Sequence, residues 1–142
     1  MIALLLLPLL LQTAQAPEAP PVPGWNCQDP IAQQEMNWCA GRDYAAADVE
    51  LNAQWAITRA KMKQDDADFA ANGRGEYDTR SGYFESLLEA QRGWLRYRDA
   101  HCRVDGYSAR GGSMEPMLVS FCMTNLTRQR TEELKALIET ER

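Results

Sequence analysis

Four kinds of residue in this chain carry chemical potential: cysteines, one histidine, a run of aspartates, and an arginine set among apolar neighbours. Cys27, Cys39, Cys102 and Cys122 suit either disulfides or zinc. Structural zinc takes closely spaced pairs, but here the short spacings are 12 and 20 residues and there is only one histidine. An even number of cysteines in a small chain reads as a disulfide framework. Four cysteines allow three pairings, and the sequence-local one, Cys27–Cys39 with Cys102–Cys122, is the expected one. Oxidised cysteines leave no thiolate nucleophile. His101 stands without a second histidine, and no pair of carboxylates can be assigned to a cleft from spacing. The residues therefore point to a protein that is not an enzyme and uses no metal or cofactor.

Asp65, Asp66 and Asp68 fall at the end of a helical pattern, where acids oppose the helix dipole. The spaced oxygen ligands and glycine of an EF-hand loop are missing. A solvated loop or a surface for a basic partner remains, and these three acids are the candidate partner surface. Arg98 belongs to the stretch Ala90-Gln91-Arg92-Gly93-Trp94-Leu95-Arg96-Tyr97-Arg98-Asp99-Ala100-His101-Cys102. Leu88, Gln91, Leu95, Arg98 and Cys102 recur at steps of three and four, so they share a helix face. A guanidinium on such a face needs an acid or carbonyls beside it. Asp48 or Glu35 of the preceding helix is the expected partner, and Asp48 with Arg98 is read as a structural polar clamp.

Three helical patterns must position these groups. The first shows its pattern from Ile31, with Asp29 as cap and Pro30 at its first position. Met36, Ala40, Tyr44, Ala47, Leu51, Trp55, Thr58 and Met62 form its inner face. Arg42, Asp43, Glu50, Arg59 and Lys63 lie opposite, and Gly41 is the weak point. The second spans roughly Gly82 to Val104, capped by Ser81, with Phe84, Leu87, Leu88, Gln91, Trp94, Leu95, Arg98 and Cys102 inward. Glu89–Arg92 and Arg96–Asp99 are its expected surface pairs. A loop from Asp105 to Gly112 leads to the third, capped by Ser113, whose stripe includes Leu118, Phe121, Cys122, Leu126, Leu134, Leu137 and Ile138. No strand-like alternation appears. The expected fold is all-α: three amphipathic helices in an antiparallel hairpin or bundle, stapled by two disulfides.

At 142 residues the chain supports one core. The apolar run Ile2 to Leu11, ending in Ala14-Gln15-Ala16, reads as a signal peptide over residues 1–16 and is too short to span a membrane. Residues 17–26 form a Pro-rich linker, and 27–142 form the helical domain. Export to the periplasm or beyond follows, with no lipid-anchor cysteine close behind the apolar run. The net charge of −5 disfavours nucleic acid as partner and favours steering toward basic surfaces.

Three blocks resemble the lysozyme inhibitor LprI-like N-terminal domain, a small exported bacterial module. The first is Cys27, Gln34-Glu35-Met36-Asn37, Cys39-Ala40, Tyr44, Ala47-Asp48 and Leu51-Asn52. The second is Ala90-Gln91-Arg92, Trp94, Tyr97-Arg98-Asp99-Ala100 and Cys102. The third is Gly112-Ser113, Pro116, Cys122, Leu126-Thr127, Arg130 and Leu134. Together they cover Cys27 to about Leu137. Trp55 departs from the pattern, which more often has tyrosine there. The resemblance implies a binding protein whose partner is a basic lysozyme; another envelope protein, met by a stress-associated module, is the alternative. The shared residues look like scaffold, and no inhibitory loop carries over.

Overall fold

The computed structural model describes residues 24–73 and 75–139; the expected signal peptide and most of the linker lie outside the described residues. Three helices make up the fold: α1 (Gln33–Ala71), α2 (Tyr83–Gly106) and α3 (Glu115–Glu139), with one 3-10 turn after α2 at Tyr107–Ala109. Among the described residues there is no strand.

Register follows from the side chains that cross between helices. Asn37 Nδ2 donates to the carbonyl of Ser113, and Thr58 Oγ1 donates to the carbonyl of Leu134, both at an offset of 76 residues. A shared offset means that α1 and α3 run in the same direction. Contacts to α2 come in reversed order: Asp66 meets Tyr83, Asp48 meets Arg98, and Gln91 meets Arg130. The chain thus goes out along α1, back along α2 and out again along α3.

The core combines aliphatic and small polar side chains. Leu51, Met62, Leu87 and Leu134 are buried together, with Trp55, Phe84, Trp94, Leu137 and Ile138 packed around them. Thr58 and Thr127 are fully buried. Their hydroxyls are satisfied: Thr58 donates to α3, and Thr127 accepts from Arg98. Small residues such as Ala40, Ala47 and these threonines let helix backbones approach closely. Gly106 serves the same end, since a Cβ there would run into Val119 of α3.

Both disulfides adopt the sequence-local pairing, Cys27–Cys39 and Cys102–Cys122, with Cα separations of 5.5 and 5.3 Å. The first ties the entering chain to α1; the second fastens the end of α2 to α3. Each is expected to contribute about 2–4 kcal/mol through restriction of the unfolded chain.

The helix ends differ from the sequence reading. Helix α1 begins at Gln33, with Ala32 as N-cap and no side-chain cap, so Asp29 does not cap it. Glu35 reaches back instead, accepting from the N–H groups of Asn26 and Ile31 at 2.7 and 2.9 Å. These donors hold its carboxyl below the usual range. Helix α2 starts on Gly82 without a cap from Ser81. Helix α1 also runs through the three aspartates and ends only at Ala71, followed by Gly73 at φ 67°.

Two inward assignments also fail. Leu95 and Phe121 are 37% and 48% exposed. Each lies at the edge of its stripe, where three helices leave no neighbour to cover it. On α1 the expected charges flank the outer face rather than fill it. Ala46, Val49, Ala53, Ala56, Ile57 and Ala60 are exposed between them.

Candidate functional site

Arg98 sits where the three helices converge and is only 5% exposed. Its Nη1 lies 3.5 Å from Asp48 Oδ1 on α1 and 3.4 Å from Thr127 Oγ1 on α3. Asp99 is closer: Nε and Nη2 both lie 2.9 Å from its Oδ1. Asp48 is the partner the sequence suggests; Asp99, which the spacing pairs with Arg96, and Thr127, which carries no charge to mark it, are not. Glu35, the alternative partner, is engaged at the start of α1. The structure records no Glu89–Arg92 or Arg96–Asp99 pair among the described residues.

Aromatic faces complete the surroundings of the guanidinium. Arg98 lies 5.0 Å from the Trp94 ring centre and 5.5 Å from that of Tyr44. Burial pushes the Tyr44 phenol up, against a smaller opposing effect of the Arg98 charge. Arg130 approaches Trp94 at 6.0 Å, donates to Gln91 Oε1 at 3.0 Å, and pairs with Glu133 at 2.9 Å. Two arginines and an indole thus link α2 and α3, giving orientation beyond simple area burial. Asn52 steadies Asp48 from one turn away, Nδ2 to Oδ2 at 2.9 Å.

The three aspartates have separate jobs. Asp66 accepts from the N–H groups of Tyr83 and Phe84 at 2.7 and 3.0 Å, so it caps α2 from the end of α1. Asp65 pairs with Lys61, and Asp68 accepts from Gln64 at 2.8 Å. Of the three, only Asp68 is exposed.

Beside them lies an open groove of about 840 Å³. Met62, Phe69, Leu87 and Leu137 give it apolar walls; Ser86, Ala90 and Arg130 line the part nearer the arginines. Asp78 and Arg80 form an ion pair at its edge, 2.6 Å between Oδ2 and Nη2. That pairing lowers the Asp78 carboxyl to about 2.

His101 is exposed and stacks on Tyr97, with ring centres 5.2 Å apart. No group of three or more His, Cys, Asp or Glu side chains gathers to hold a metal among the described residues. Nor is any described helix long and apolar enough to cross a membrane.

The chain is thus an all-α, three-helix scaffold with two local disulfides, a buried arginine node and a groove beside the start of α2. The family called lysozyme inhibitor LprI matches residues 26–134, and the chain belongs to it. It is also 46% identical over 132 residues to an uncharacterised protein of Rhizobium meliloti (strain 1021), covering 92% of this chain and 90% of that one. No solved structure matches the chain.

Proposed function

We propose that this chain is an exported binding protein that inhibits a basic lysozyme by direct contact, without catalysis of its own. Membership of the LprI family across residues 26–134 carries this reading. The disulfides accord with an oxidising compartment, the periplasm or the cell exterior. A net charge of −5 favours encounter with a basic enzyme. Within the candidate surface of Asp65, Asp66 and Asp68, the exposed Asp68 is the acid that faces such a partner. Asp66 holds α2 in place, and Asp48 with Arg98 acts as a clamp rather than a contact.

Charge reversal separates these roles. Asp68→Lys is expected to weaken lysozyme binding several-fold at low salt while leaving thermal unfolding unchanged, both read on the oxidised protein. Equal affinity of Asp68→Lys and the parent chain would remove that acid from the contact.

A further inference from the structure

The described part of α3 stops short of the end of α1. The offset of 76 residues that joins Thr58 to Leu134 sets Glu139 level with residue 63, whereas α1 continues to Ala71. The last turns of α1 therefore overhang the described part of α3. Phe69 stands on the overhang, edge-on to Tyr83 with centroids 6.3 Å apart. The groove described above occupies the space between this overhang, the start of α2 and the end of α3. At about 840 Å³ it falls in the range of sites that take a ligand.

Its chemistry restricts the occupant. The charges that line it are satisfied internally: Asp78 by Arg80, Arg130 by Glu133, and Asp66 by two backbone N–H groups. No uncompensated charge is left inside to hold a small ion, and the walls are mostly apolar. Outside, the same end of the molecule presents acids. Asp68, Glu76 and Glu85 are exposed and without ion pairs among the described residues, whereas Lys61 is taken by Asp65 and Lys63 lies over the Phe84 ring at 4.6 Å.

We propose that this groove receives an extended segment of a protein partner, with apolar side chains packing against the part-exposed Phe69 and Leu137 over the buried Met62 and Leu87, and flanking Lys or Arg meeting the rim acids. The proposal deepens the inhibitory reading and rests on it for the partner's identity. Apolar burial supplies the affinity, and the charged rim sets the approach.

Two measurements keep the groove and the partner separable. In the first, Ser86→Trp and Ala90→Trp fill the groove from exposed positions of α2, and Ala100→Trp serves as a control outside it. Binding to a basic animal-type lysozyme is followed by calorimetry, with circular dichroism confirming the fold of each variant. Both groove variants should lose about tenfold or more in affinity, and the control should not. Unchanged affinity in both overturns the groove while leaving the inhibitory reading intact.

The second needs no lysozyme. A capped Lys-Leu-Lys-Phe-Arg peptide is titrated into the labelled wild-type protein, with Glu-Leu-Glu-Phe-Asp as comparison. Amide shifts at Gly75, Ser86, Leu87 and Ala90 should move saturably with the basic peptide and much less with the acidic one. No movement there overturns the groove, and equal response to both peptides overturns the charged rim. Peptide binding with no affinity for lysozyme would reject the inhibitory reading alone.

Discussion

Arg98 shows how one buried charge can be accommodated. Its guanidinium meets Asp99, Asp48 and Thr127 and lies over two aromatic rings. The side chains of Asp48 and Asp99 are 40% and 55% exposed, so both regain water if the arginine is removed. The expected cost of Arg98→Ala is therefore mainly lost packing and hydrogen bonding, about 2–3 kcal/mol by urea unfolding. Arg98→Lys should recover only part of it, because an ammonium cannot fork or stack as a guanidinium does. Arg96→Ala, at an exposed position without an ion pair among the described residues, should stay within about 0.5 kcal/mol. Arg98 was legible in the sequence because a charge on an apolar face stands out. Thr127 was not, since a threonine on a helix gives no sign of its partner.

Glu35 supplies a pH-dependent contact at the same scale. Its carboxylate accepts two backbone N–H bonds, which hold its pKa below the ordinary glutamate value of 4.5. A depressed folded-state pKa means that the stabilisation is fully present above the unfolded value and fades as pH falls through the folded one. The amide shifts of Asn26 and Ile31 should titrate together with an inflection below 4.5 and lose that inflection in Glu35→Gln. An inflection above that value would contradict the contact.

Among the elements, α2 depends on its neighbours for its ends. Its N-terminus is capped by Asp66, 17 residues before Tyr83, and its C-terminus is fastened by the Cys102–Cys122 bond. Asp66→Ala should cost about 1 kcal/mol and increase amide exchange in the first turn of α2. A loss confined to α1 would argue against the cap. Replacing Cys102 and Cys122 by serine should cost about 2–4 kcal/mol and loosen the turn at Tyr107–Ala109. Helix number and disulfide pairing could be read from periodicity and spacing, which are local. The caps could not. Asp29 and Ser81 look like the obvious choices, but Glu35 takes the N–H groups before α1, and Asp66, brought in by the fold, caps α2, where a purely local rule cannot see it.

At the scale of the whole molecule, α1 and α3 run together and α2 returns alongside both, fastened to α3 at its C-terminal end and capped by Asp66 of α1 at its start. The groove lies near the start of α2, where α1 continues past Met62 to Ala71. The sequence marks the region through its three aspartates, as the end of the helix or one further turn of it, and α1 runs on to Ala71. Because α1 carries on through them, Asp66 turns inward to cap while Asp68 stays in solvent. The acidic balance of the chain, by contrast, was plain from composition and bears directly on the partner.

The most direct measurement is a titration of the oxidised protein against a basic lysozyme acting on bacterial cell walls, at low and at moderate salt. Inhibition that saturates near one inhibitor per enzyme, and weakens as salt screens the encounter, is the predicted result. Undiminished lysis at an excess of folded, disulfide-intact protein, across several basic lysozymes, would contradict it.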